Sequence, residues 1–287
     1  MEYAKTYQNQ RYDEERALYG VRDALVENCV FDGPADGESA LKECKHITVR
    51  DCSFMLRYPL WHVEHAELEG CALSEDCRAA FWYDRDILIK NCNLSGIKAL
   101  RECTDVKVHD CHVESKELFW RCNHVSVQDS SLQSEYPFFE TKDLEIEDCV
   151  IMGKYSFQYV ENAMIHKCDL NTKDAFWHCR NVTVADSTIK GEYLGWYSEN
   201  LKLVRCRIVG TQPLCYAKGL ILEDCTMEET DLAFEYSDVT ADIIGDIESV
   251  KNPLSGRIRA YHIGEIVRGD SVMGDGNCEI ITGFKRD

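Results

Sequence analysis

The sequence predicts an all-β fold, a single-stranded parallel β-helix wound in coils of about 19 residues, and three observations carry that prediction. The first is a clock. Cys29, Cys52, Cys71, Cys92, Cys111, Cys149, Cys168, Cys206 and Cys225 follow one another at 19 residues or close multiples of it. Ser130 and Ser187 stand at the two skipped positions, and only two units carry insertions, of four and two residues. The second is the pattern around each clock residue, as in Val106-Lys-Val-His-Asp-Cys-His-Val113 and Leu144-Glu-Ile-Glu-Asp-Cys-Val-Ile151. Apolar residues lie five and three before the cysteine and two after it, the period-two alternation of a strand. The third is the repeat length, which is too short for helical repeats of 33 or more residues.

Each side of the coil has its own signature. A leading apolar segment (Ala40-Leu-Lys-Glu-Cys44, Leu118-Phe-Trp-Arg-Cys122, Ala175-Phe-Trp-His-Cys179) places an inward column eleven residues before the clock. That column reads Leu41, Leu60, Phe81, Leu100, Phe119, Phe138, Phe157, Phe176, Gly195, Leu214 and Ala233, almost all large and apolar. Six residues before the clock come only His, Asp, Asn or Gly, the types that best accept a left-handed backbone, which marks a corner. Asp or Asn directly before the cysteine marks another. Three short strands and three corners per coil follow, in about 13 coils. Residues 1–20, polar and charge-rich, are expected to cap one end, 21–238 to form regular coils, and 239–287 to close the domain irregularly.

The D/N-C-x-hydrophobic coil resembles the right-handed parallel β-helix proteins of the pectin lyase-like superfamily. More closely, Asp13-Glu-Glu-Arg-Ala-Leu-Tyr-Gly20 through Gly37-Glu-Ser-Ala-Leu-Lys42 is similar to an uncharacterised bacterial β-helix family of about this length. The right-handed winding is what that resemblance implies. It implies an architecture and no activity.

Composition narrows the function classes. The 287 residues carry a formal charge of −19, which repels nucleic acid, anionic membranes and polyanionic substrates. The first 20 residues lack an apolar core and no run of about 18 apolar residues occurs, so the expectation is a cytoplasmic protein with reduced thiols and no membrane span. The clock cysteines, and Cys44, Cys103, Cys122 and Cys179 in a second column, read as small corner residues that serine can replace. No Cys-x-x-Cys pair occurs, and His46, His62 and His65 are explained by corner geometry, so no metal and no cofactor are expected.

All five tryptophans fall ten residues before the clock: Trp61, Trp82, Trp120, Trp177 and Trp196, joined by Phe139 and Phe234. Lys42, Arg101 and Gln158 in the same column point it outward, because a charge inside a narrow solenoid is costly. An aromatic row at coil spacing suits a seat for the N- or C-terminal segment, a homo-oligomer seam or the packing of sugar rings. The neighbouring column, Glu43, His62, Tyr83, Glu102, Arg121, Glu140, Tyr159, His178, Tyr197, Tyr216 and Glu235, supplies the acids, histidines and tyrosines of a carbohydrate-active groove. Glu102, Glu140, His62 and His178 are the candidate catalytic groups if the chain is a polysaccharide lyase or glycoside hydrolase. Against catalysis stand the short insertions, near Phe31–Gly37 and Ser74–Ala80, which leave little to exclude water. The reading preferred from sequence is a non-catalytic binding or self-associating module that uses the aromatic row, with a glycan or a second copy as its partner.

Overall fold

A computed structural model describes residues 3–33 and 38–283. Pro34–Gly37, inside the four-residue insertion expected near Phe31, lie outside them. The fold is a parallel β-solenoid of about 14 turns at 19-residue spacing, and its contacts divide it into two compact units, 1–149 and 150–287.

In the first unit the six residues ahead of each clock position form the long strand of the coil. Arg22–Glu27, Lys45–Arg50, Glu64–Glu69, Arg85–Lys90, Thr104–His109, Asn123–Gln128 and Lys142–Glu147 pair in parallel, and the inward residues stay in register: Ala24, Ile47, Ala66, Ile87, Val106, Val125 and Leu144. A shorter strand follows the clock residue, as at Asn93–Ile97, His112–Lys116 and Ser131–Glu135. Residues 3–20 take part as a coil of their own, with Lys5–Gln8 paired to Arg22–Glu27 and Arg11–Tyr12 to Val30–Phe31.

The third side of the coil is strand at Leu60–Trp61 and Phe81–Trp82. Elsewhere it is a hydrogen-bonded turn in which every second residue is left-handed, as at Glu117, Phe119 and Arg121 (φ 57°, 56° and 54°). The alternation turns successive N–H groups in opposite directions. Those of Glu117 and Arg121 donate to Glu135 and Phe139 on the following coil, and that of Phe119 donates to Ala99 on the preceding one. Backbone groups are thus paired coil to coil even where the strand geometry is lost. The two corners expected from Asp, Asn, His and Gly are left-handed as well, for example Asp105 and Asp110 (φ 58° and 52°).

The second unit repeats this plan through Glu161–His166, Arg180–Ala185, Glu199–Val204 and Leu220–Glu228. It then closes on Asp238–Ile243, Ser255–Ala260 and Glu279–Thr282, with Asp246–Lys251 and His262–Val267 forming a separate pair. One residue is inserted before this closing section. Phe234 therefore takes the place eleven before the clock: its N–H donates to Pro213, as that of Leu214 donates to Leu194. Tyr236 and not Glu235 follows in the left-handed position, at φ 54°.

The clock residues are all buried. Each thiol donates to backbone carbonyls, as Cys52 does to Arg50 (3.2 Å), while its sulfur accepts the N–H of the preceding clock residue, Cys29 (3.4 Å). Serine reproduces both bonds. Ser130 accepts from Cys111 (3.0 Å) and donates to Gln128 (2.6 Å), and Ser187 does the same between Cys168 and Ala185. All sixteen cysteines are free and buried, and burial pushes Cys44 up to about 11 and Cys215 up to about 12. Thiolate is the reactive form. An aromatic disulfide reagent at pH 8 is therefore expected to label essentially no thiol in the native protein within minutes and all sixteen after denaturation. Rapid native labelling of several would contradict this packing.

Candidate binding surface

The tryptophan column lies on the turn side of the coil. There the alternating left-handed residues send one side chain inward (Phe119, Phe176) and the next outward. In the first unit Lys42, Trp61, Trp82, Arg101, Trp120 and Phe139 are all half-buried. Trp61 and Trp82 stack at 5.5 Å and 11°, Lys42 sits 4.2 Å over the Trp61 ring, and the Arg101 guanidinium lies between Trp82 (5.8 Å) and Trp120 (5.0 Å). The outward cations foreseen in this column are thus cation–π partners of the rings on either side.

In the second unit Trp177 and Trp196 stack at 5.5 Å and 6°. The indole N–H groups of Trp120, Trp177 and Trp196 donate to the carbonyls of Tyr136, Tyr193 and Gln212 on the following coil, at 2.6–2.8 Å. These three rings are held to the next coil by their one polar atom, whereas the buried indole nitrogens of Trp61 and Trp82 have no hydrogen-bond partner among the described residues. What reaches solvent is an edge, not an open face. Phe234 leaves this group altogether: it is fully buried in the inward column, because the inserted residue shifts the count by one.

The exposed aromatic surface lies one residue further on. In the second unit Tyr159, His178, Tyr197 and Tyr216 stack in order, with ring centroids 4.8, 5.0 and 4.8 Å apart, and Tyr236 follows at 5.5 Å, tilted by 45°. Tyr159 and Tyr197 are 46% and 44% exposed, whereas Tyr236 is covered. Trp196 meets Tyr216 edge-on at 5.6 Å and backs the row. His178, between two tyrosines, is held below the usual histidine range by burial and by the Arg180 charge. The sequence placed Tyr159, His178, Tyr197 and Tyr216 in the right column, with Glu235 where Tyr236 stands, and ranked them second, because spacing fixes the column but not the tilt of its rings.

The candidate catalytic groups are engaged elsewhere. Glu140 accepts from Arg121 Nε at 2.7 Å, and Glu102 lies 3.7 Å from Arg101 Nε. His62 Nδ1 faces Glu43 at 3.2 Å, and its ring meets Trp61 and Tyr83 edge-on. The same pairing of charges from coil to coil recurs in Glu27–Arg50–Glu69 and Glu161–Arg180–Glu199.

His46 and His65 stack at 4.7 Å on left-handed corners, and His65 also meets Asp86 at 2.6 Å. Among the described residues one group brings metal-ligating atoms together, His109, Asp110 and Asp129, within 4.8 Å of one another. There both imidazole nitrogens already face carboxylates, at 2.8 and 3.2 Å. Among the described residues no helix is long and apolar enough to cross a membrane.

A cavity with no signature in the repeat pattern opens at the closing end of the second unit. It measures about 380 Å³ and is lined by Asn252, Pro253, Arg268, Ser271 and Asp275 together with three glycines. None of Glu102, Glu140, His62 and His178 borders it.

A protein-family model described as "Protein of unknown function (DUF3737)" matches residues 5–281. No curated protein matches the chain. Among solved structures, the tailspike protein of Escherichia coli bacteriophage HK620 is similar over 98% of this chain and 71% of its own, at 9% identity and a TM-score of 0.47. The Streptococcus pneumoniae surface protein and adhesin PfbA covers 96% and 91%, at 7% identity and 0.41. The A-module of the Azotobacter vinelandii mannuronan C-5 epimerase AlgE4 covers 96% and 86%, at 8% identity and 0.31.

Proposed function

The chain belongs to the DUF3737 family of proteins of unknown function, and we propose that it is a non-catalytic β-solenoid module that self-associates through the aromatic row of its second unit. The observation that carries this reading is the stack from Tyr159 to Tyr216, an apolar strip one ring wide with tyrosine and histidine edges in solvent. Such a strip offers contact area at low conformational entropy, since the rings are already immobilised by stacking. Sugar stacking requires an open ring face, and from Tyr159 to Tyr216 the faces that meet are closed by stacking on one another. Catalysis would require two free carboxylates across a cleft, and Glu140 is tied to Arg121.

Light scattering on size-exclusion eluate tests the proposal. The wild type is expected to elute with twice the chain mass at micromolar concentration. Tyr159→Asn with Tyr197→Asn keeps a residue type that accepts the left-handed backbone, and is expected to elute as a folded monomer. A monomeric wild type would refute self-association. Quenching of tryptophan fluorescence by a soluble oligosaccharide would instead favour a glycan-binding row.

A further inference from the structure

We infer that the cavity at the closing end of the second unit binds a small zwitterion, a free α-amino acid, whose carboxylate meets Arg268 and whose ammonium meets Asp275 and Asn252. Its volume of about 380 Å³ lies in the range of small-molecule sites. That is the space of about a dozen waters at about 30 Å³ each, enough for an amino acid with its side chain. Pro253 is the one apolar side chain in the lining, so the cavity suits a polar ligand.

The lining brings opposite charges to one cavity without pairing them. Among the described residues the Arg268 guanidinium has one hydrogen-bond partner, the Cys278 carbonyl at 3.4 Å, and the Asp275 carboxylate has neither a hydrogen bond nor an ion pair. The charges behind them are spent on each other: Lys251 Nζ lies 3.0 Å from Glu235 and 3.2 Å from Asp270. Asn252 adds a buried acceptor. It is 7% exposed, and its Nδ2 donates to the Asp270 carboxylate at 2.6 Å. A carboxylate only accepts, so Oδ1 is the other end of the amide, and among the described residues it meets no donor. A buried polar atom takes its bond from whatever reaches it, here from the cavity that Asn252 borders. The N–H groups of Gly274, Asp275 and Gly276 likewise meet no acceptor among the described residues. Successive N–H groups beside a guanidinium take an anion. The donors thus call for a carboxylate and the acceptors for an ammonium, and an α-amino acid carries both on one carbon.

The loop 268–276 is held ready for it. The Ser271 hydroxyl donates to the Gly274 carbonyl (2.7 Å), and the Asn277 N–H donates to Leu254 (2.8 Å). Gly276 lies so close to the Pro253 carbonyl that a Cβ there would collide with it. Gly269 and Gly274, at φ +103° and +85°, differ: a Cβ on either would meet nothing within 4 Å, so open space lies beside the backbone there. A loop fixed before its ligand arrives loses little entropy on binding.

Thermal unfolding of the full chain with each standard α-amino acid at millimolar concentration tests the site. At least one is expected to raise the midpoint by a few degrees. Its N-acetyl derivative, which lacks the ammonium, and its carboxamide, which lacks the carboxylate, are expected to leave the midpoint unchanged. By calorimetry, Arg268→Gln and Asp275→Asn are each expected to weaken binding of that amino acid by about tenfold or more. Both residues are exposed, so the circular dichroism spectra of the variants should match the wild type. Arg268→Gln should in addition bind the amino acid and its carboxamide equally. No shift with any amino acid would overturn the proposal, as would binding that both variants leave intact. Acetate binding as tightly as the amino acid would overturn it too, by marking a simple anion site. None of these outcomes depends on whether the chain self-associates.

Discussion

Replacing Asp84 by serine is expected to stabilise the first unit at neutral pH, by about 1–3 kcal/mol, the usual cost of an unsatisfied buried polar group. Asp84 is fully buried in the corner column of Cys44, Val63, Cys103, Cys122 and Thr141. One carboxyl oxygen accepts the Val63 N–H at 2.8 Å, and the other has no hydrogen-bond partner among the described residues. Residues of this column use a proton: Thr141 donates to Phe119, and Cys122 to Leu100 at 3.1 Å. An ionised carboxylate has none to give, and burial holds Asp84 well above the carboxylate range. The second unit shows the serine solution, where Ser237 accepts from Ala217 (2.9 Å) and donates to Leu214 (2.7 Å). The sign follows from linkage. The folded state binds the proton more tightly than the unfolded one, so the stability contributed by neutral Asp84 is complete below the unfolded value of about 3.9 and is lost as pH rises through the folded value. Wild type and Asp84→Ser should therefore differ least near pH 4 and increasingly toward neutral pH in urea melts. A gap independent of pH would refute the account.

The clock was legible because a corner that must accept an N–H and donate to a carbonyl in little space admits few residues, and cysteine and serine are conspicuous. The Asp/Asn/His corners were legible for a similar reason, since those residues favour a left-handed backbone. The left-handed positions on the third side were not, because Phe119, Arg121 and Tyr159 carry no such preference and are held there by inter-coil bonds and packing. Tilt defeated the reading of the tryptophans: periodicity points a column outward but does not say whether faces or edges reach water. Phe234 was lost to one inserted residue. Its own chemistry was the available signal, since a phenylalanine one place along from Ala233 suits an inward column of Phe and Leu better. Asp84 broke a column of small and apolar residues, a signal present in the sequence but overshadowed by the aromatic row. The loop 268–276 that lines the closing cavity belongs to no repeat, so nothing periodic could reveal it.

The inward phenylalanines set the other large effect. Phe119→Ala is expected to destabilise the first unit by about 3–5 kcal/mol, and Phe119→Leu by less than about 1.5 kcal/mol. Phe119 is fully buried and stacks on Phe138 at 4.9 Å and 6°. Its neighbour in the column on the other side is Leu100, so the column already accepts leucine beside phenylalanine. Alanine would leave a ring-sized void between two rigid coils. Those coils have little freedom to collapse, because the backbone on both sides is fixed: the Phe119 N–H is bonded to Ala99, and the N–H groups of Glu117 and Arg121 to the coil beyond. The left-handed backbone at Phe119 adds a second requirement, since strain there is offset only while the side chain packs. Phe119→Gly relieves that strain but leaves the same void, so it should be no worse than Phe119→Ala despite removing one more carbon. In a solenoid each coil is stabilised chiefly by its neighbours, so the loss should be local. Hydrogen exchange should quicken in Thr104–His109 and Asn123–Gln128 while the far strands Arg22–Glu27 and Lys45–Arg50 stay protected. Uniform loss of protection across the first unit would show instead that it opens only as a whole.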